Sequence, residues 1–204
     1  MNNPSPHIPT GCPVFDLVGN SDYGCPGLPR GRALHLFGGP SSGKTTLALM
    51  AAAAVCKTGG TVMYIDHMDG LSPDWLEFLG VPHDSSRFAL FQPVTQEEGI
   101  NLALTGIAAG VDLVVVDAVC EPEKWAVALH PMMEQASLSG TVVLGLDYEK
   151  EGVPGGGLAW KYVPSRRIRV ELQGLTHIEY QVVKDLLDTT AQTTGTFKLP
   201  GGDS

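Results

Sequence analysis

At 204 residues and 21.6 kDa, with 43% hydrophobic residues, the chain has the length of one domain with a proper buried core. A net charge of −9 and a pI near 5.0 exclude a surface that is basic all over and grips nucleic acid indiscriminately, while leaving room for a local basic patch. No apolar run approaches the roughly 20 residues of a membrane span, and residues 1–7 lack the charge and apolar stretch of a secretion signal, so no membrane partner is expected and the cytoplasm is the expected compartment.

Residues 1–30 are rich in Pro, Gly, Asn and Ser and predict an extended lead-in with turns, ahead of a core over residues 31–200. The apolar run 33–38 predicts a strand, in which His35 reads as a satisfied core histidine rather than a ligand. The motif Gly-x4-Gly-Lys-Thr follows, and a helix is predicted over 44–57. Further strands are predicted at 61–66, 87–91, 112–117 and 141–146, alternating with helices at 73–79, 96–109 and 123–138. Uninterrupted β-branched strands separated by helices imply an α/β fold, a mostly parallel central sheet covered on both faces. After Gly157 the rhythm changes: runs at 166–172, 178–183 and 194–199 predict a C-terminal antiparallel extension, and residues 201–204 are expected to fray. Cys12, Cys25, Cys56 and Cys120 show no Cys-x-x-Cys spacing and read as reduced thiols rather than a metal site. Met132 and Met133 read as helix packing, and Trp125 and Trp160 as interface packing in preference to base stacking.

The segment Gly38, Gly39, Pro40, Ser41, Ser42, Gly43, Lys44, Thr45 and Thr46 is a complete P-loop set between a strand and a helix. Glycines let the backbone close round phosphate, and the helix N-terminus is aimed at its charge. Lys44 brings positive charge to the outer phosphates of ATP, and Thr45 offers a hydroxyl to Mg²⁺. Asp117 closes the apolar run 111–117, where a second ligand for the metal is needed. An ionised carboxylate there is costly unless paired, and hydrated Mg²⁺ would pair it. The alternative for Asp117 is a cap on the following helix. Lys161, Arg166, Arg167 and Arg169 place four of the 13 basic residues within nine positions. Two readings stand for this cluster: contact with single-stranded DNA, or a solvated edge strand with Arg167 and Arg169 on one face and Ile168 and Val170 on the other.

Several segments resemble the ATPase core of the bacterial RecA recombinases. They are Thr10-Gly11-Cys12-Pro13-Val14-Phe15-Asp16, Gly27-Leu28-Pro29-Arg30-Gly31-Arg32, the P-loop itself, and Tyr64-Ile65-Asp66 with Leu71-Ser72-Pro73-Asp74-Trp75. Gln92-Pro93 with Glu97-Glu98, the run 111–119, Gly156-Gly157-Leu158-Ala159-Trp160-Lys161-Tyr162 and Val182-Val183-Lys184 continue the likeness in order. The resemblance implies that Trp75 stacks on adenine and Ser72 sits where an acid reads the base. It also implies that Lys161 and Lys184 reach the γ-phosphate of a neighbouring subunit, making hydrolysis depend on a homo-oligomer or a RecA-like repair partner.

Departures from the family pattern are as informative. Met68 stands where the family has its water-activating glutamate, with Asp69 beside it as the substitute carboxylate. Asp147 stands where the family has a phosphate-sensing glutamine, and an acid there would repel a γ-phosphate. Both family DNA-binding loops are short, reduced to Cys120-Glu121-Pro122 and to residues 148–154, and the likeness extends to neither the family's N-terminal polymerisation segment nor its C-terminal domain. The expected function is a minimal DNA-dependent ATPase of recombination or repair with weak hydrolysis. The alternative is an ATP-binding, catalytically impaired paralogue that regulates or assembles with a partner; a small-molecule kinase ranks third.

Overall fold

Strands whose side chains are apolar on both sides need cover on both faces, and they find it here. The structure is a computed structural model that describes residues 5–16, 27–150, 153–187 and 194–200. In chain order the elements are β1 (His7–Ile8), β2 (Leu28–Pro29), β3 (Ala33–Gly38), α1 (Lys44–Lys57), β4 (Val62–Asp66), α2 (Pro73–Phe78), β5 (Phe88–Phe91) and α3 (Gln96–Ala108). They continue with β6 (Leu113–Asp117), α4 (Pro122–Ser139), β7 (Val142–Lys150), β8 (Val153–Pro154), α5 (Gly157–Tyr162), β9 (Arg166–Gln173), β10 (His177–Asp185) and β11 (Thr194–Lys198). The turns expected over 17–26, Cys25 and the fraying expected over 201–204 lie outside the described residues.

The main sheet runs β11-β10-β9-β3-β7-β6-β4-β5, with β8 paired to the end of β7. Neighbours from β5 to β9 are parallel, and β9, β10 and β11 are antiparallel. This is the expected α/β architecture with its C-terminal extension. Leu34, Leu36, Tyr64, Val115 and Leu144 face α1 on one side. Ala33, Met63, Ile65, Val114 and Val143 face α3, α4 and α5 on the other.

Local signals explain the element ends. Thr95 accepts the Glu98 amide at 3.1 Å at the start of α3, and the Glu98 carboxylate accepts the Val94 amide at 3.0 Å, a reciprocal cap. Ser72 caps α2, with Pro73 in its first turn. β7 runs beyond the predicted 146 because Glu149 and Lys150 pair with Pro154 and Val153 of β8. Helix α5 has no sequence-level prediction, since six residues give no periodicity.

What seats α5 is a tryptophan on a glycine. A Cβ added at Gly145 of β7 would lie 2.2 Å from the Trp160 ring. Trp160 in turn meets Trp125 edge-on at 5.5 Å, and both rings are fully buried. The base-stacking option for these two tryptophans is therefore excluded. Gly145→Ala forces the ring out of this seat, and overpacking of this kind costs about 1–3 kcal/mol. We expect a lowered urea midpoint with an unchanged m-value; an unchanged midpoint would show that α5 is held by something else.

Candidate nucleotide-binding site

The P-loop is built where β3 ends. A Cβ at Gly38 would come within 2.1 Å of the Val170 carbonyl oxygen of β9. At Gly43, whose φ is 88°, it would come within 2.4 Å of the Ile178 side chain of β10. Gly38 requires glycine because the β9 backbone presses against the loop, and Gly43 because its φ is left-handed, with Ile178 packed close against it. Helix α1 starts at Lys44 with no side chain capping its first amides, which leaves them directed at whatever occupies the loop.

Lys44 is 5% exposed. Its Nζ donates to the Gly38 carbonyl at 3.0 Å, the Gly39 carbonyl at 2.7 Å and Ser42 Oγ at 3.2 Å, and lies 4.6 Å from the centre of the Tyr148 ring. Burial lowers its pKa, opposed by the charges of Asp117, Asp147 and Glu149. Alongside it, Thr45 Oγ1 and Tyr64 OH both donate to Asp117 Oδ2 at 2.8 Å. A cavity of about 220 Å³ is lined by Ser41, Ser42, Gly43, Lys44, Thr45, Thr46, Tyr148, Leu172 and Leu199.

These residues fit a magnesium–triphosphate. Uncapped amides and a buried ammonium suit phosphate oxygens, and a hydroxyl paired with a carboxylate is the hard oxygen set that Mg²⁺ requires. Asp117 ends a central strand, beyond which the chain is pinned by Gln96 at the start of α3. Its side chain donates to the Ala118 carbonyl at 3.0 Å and accepts from the Cys120 amide at 3.1 Å and Trp125 Nε1 at 2.7 Å.

The other expected site residues lie elsewhere. Asp69, with φ of 50°, accepts from Gln92 Nε2 at 2.6 Å, while Asp66 accepts the amides of Met68 and Gly70. Met68 projects half-exposed. Trp75 stacks on Phe78 at 5.4 Å, and the Ser72 hydroxyl caps α2 instead of facing the P-loop cavity. Lys161 lines a separate cleft of about 520 Å³ with Arg167 and Arg169, and Lys184 donates to the Tyr162 carbonyl at 2.6 Å. Neither lysine lines the P-loop cavity of its own chain.

The arginine cluster needs one correction. Arg166 has no exposed surface: it pairs with Asp185 at 2.8 Å and donates to the Phe15 carbonyl at 3.0 Å, so it is out of reach of a DNA phosphate. Arg169 is held by both oxygens of Glu149 and by Glu171. Arg167 donates from Nε to His35 Nδ1 at 3.1 Å and lies over the Phe37 ring. Asp147, expected to face the γ-phosphate, is buried beneath the sheet's other face and binds His35 and the Gly156 amide. Strand alternation puts its neighbour Tyr148 beside Lys44 instead.

Sequence reasoning missed Tyr64, Tyr148 and Gln96. Tyr64 was legible in principle, two residues before the end of a strand adjacent to that of Asp117. Gln96 was not, because its three partners come from a distant loop and helix.

Burial raises the Asp117 pKa, outweighing the hydrogen bonds from Thr45 and Tyr64. A carboxyl raised in the folded state stabilises fully only below its unfolded pKa, and that contribution is lost as pH rises through the folded value. Asp117→Asn keeps an oxygen for both hydroxyls, so it is expected to raise the thermal midpoint of the ligand-free protein at neutral pH, an advantage that fades on acidification. The same change should weaken magnesium–ATP binding by roughly tenfold or more in calorimetry. A lowered midpoint at neutral pH would refute the electrostatic account.

Comparison with known proteins shows the family. A family profile described as the RecA N-terminal domain matches residues 7–134. Protein RecA of Lactobacillus acidophilus is 43% identical over 140 residues, covering 68% of this chain and 35% of that protein. A plasmid-borne Protein RecA of Lactococcus lactis subsp. lactis is 34% identical over 214 residues, covering 92% of this chain and 59% of that protein. The chain thus spans only part of the length of both relatives. The crystal structure of the RadB recombinase shares the fold, with a TM-score of 0.68 at 19% identity over 85% of this chain and 89% of that one. With the profile spanning well over half of its length, this chain belongs to the RecA family and carries its recombinase core.

Proposed function

We propose that this protein binds magnesium–ATP at its P-loop and acts in DNA recombination or repair as a weak, DNA-dependent ATPase. The observation that carries the reading is the buried Lys44 ammonium, held by loop carbonyls beside the Thr45–Asp117 pair at an uncapped helix start. When ATP binds, Lys44 exchanges carbonyl partners for phosphate oxygens, and the first amides of α1 take up further charge. Thr45 and Asp117 would hold magnesium, which would supply positive charge to the outer phosphates.

Hydrolysis is expected to be slow because Met68 has no group to orient water, and Asp69 must first leave Gln92 to serve. Lys161 and Lys184 do not line the P-loop cavity of their own chain, which supports a contribution to the site of another subunit. Arg166 and Arg169 are committed to ion pairs within the chain and Arg167 gives its Nε to His35, so DNA contact rests on Lys161 and the remaining donors of Arg167. That engagement, with Met68, also favours the second reading: an ATP-bound regulator or assembly partner that turns over little.

Lys44→Ala should abolish ATP uptake in calorimetry; failure of the wild type to bind ATP in magnesium buffer would end the proposal. Steady-state turnover with and without single-stranded DNA separates the two readings, DNA stimulation favouring the first. Met68→Glu should raise the rate by about tenfold or more if the missing carboxylate limits hydrolysis. If Met68→Glu changes nothing and Asp69→Ala abolishes turnover, Asp69 is the working carboxylate.

A further inference from the structure

Between β3, β7 and β9 lies a buried polar chain that the nucleotide reading does not use. His35 and Asp147 are each 1% exposed. Arg167 Nε donates to His35 Nδ1 at 3.1 Å. A guanidinium only donates, so Nδ1 is an acceptor and the ring proton sits on Nε2. From Nε2 it is donated to Asp147 Oδ2 at 3.1 Å, and the same oxygen accepts the Gly156 amide at 2.6 Å. The imidazole stacks on Phe37 at a centroid distance of 5.2 Å and meets the Trp160 ring at a tilt, 5.5 Å away.

The turn before α5 closes onto this carboxylate. Cβ atoms added at Gly155 and Gly156 would lie 3.2 and 2.9 Å from the Asp147 oxygens. Asp147 Oδ1 has no hydrogen-bond partner although it is buried, so the two donors to Oδ2 carry the burden of holding the group. The charges of Arg167 and Lys44 both act on this carboxylate.

We propose that His35 is a positioning residue: fixed as the Nε2–H tautomer by Arg167, it holds the Asp147 carboxylate against the Gly156 amide and so docks the Gly155–Gly157 turn and α5 before any ligand arrives. Lys161 is then presented at a fixed place on α5 whether or not ATP is bound. The inference goes beyond the nucleotide reading and rests on none of its steps.

Imidazole ¹⁵N spectra of the full chain without nucleotide at neutral pH read the tautomer directly, with the His35 signals assigned by their loss in His35→Gln. The Nε2–H form with a hydrogen-bonded Nδ1 is expected; the Nδ1–H form or an imidazolium overturns the proposal. Amide hydrogen exchange supplies the second readout. His35→Leu should speed exchange over residues 156–162 by about tenfold or more while α1 stays protected, and His35→Gln, which keeps a donor and an acceptor, should restore protection to within about threefold of wild type. Equal protection in His35→Leu, or equal loss in both variants, overturns it. If His35→Leu does not fold, the wild-type spectra decide alone. Intact tautomer signals in a wild type that takes up no ATP would sink the nucleotide reading and leave this one standing.

Discussion

A buried ammonium held by carbonyls, rather than by a carboxylate of its own, governs the functional end of this molecule. Lys44 cannot be bare in the interior, so Gly38 and Gly39 turn their carbonyls to it and the P-loop wraps inward. The carboxylates that balance its charge are each engaged elsewhere: Asp117 with two hydroxyls, Asp147 with His35 and Gly156, Glu149 with Arg169. None is positioned to neutralise the lysine outright. The ammonium therefore stays available to an anion that can offer better oxygens than two peptide groups.

The same habit of internal pairing runs through the basic residues. Arg30 pairs with Asp112, Arg166 with Asp185 and Arg169 with Glu149 and Glu171. In a chain of net charge −9, such pairing leaves little free positive potential for a polyanion.

What the sequence made legible follows from distance along the chain. The P-loop is a contiguous motif whose chemistry is mostly backbone, so its strand, loop and helix could be placed from the residues alone, and Asp117 followed from its position at a strand end. Alternation in β9 also placed Ile168 and Val170 in the core, opposite Arg167 and Arg169. Arg166 obeys the same alternation, on the face of Ile168 and Val170, but the partners that make its burial tolerable, Asp185 and the carbonyl of Phe15, are far off in sequence and could not be read from it. Trp160 and Asp147 were misread for a related reason: each is defined by a glycine it packs against, and a glycine's bare surface leaves no trace in a pattern of apolar and polar residues.

The contacts of Gly38 with β9 and of Gly43 with β10 have a mechanical corollary. The loop's floor is made of strands that follow it by more than a hundred residues, beyond the stretch that the family profile covers. A shorter piece could retain every motif residue and still lack the buttress that keeps them in shape. Conversely, anything that leans on the outer edge of the antiparallel extension presses, through two side-chain-free points, on the cradle itself.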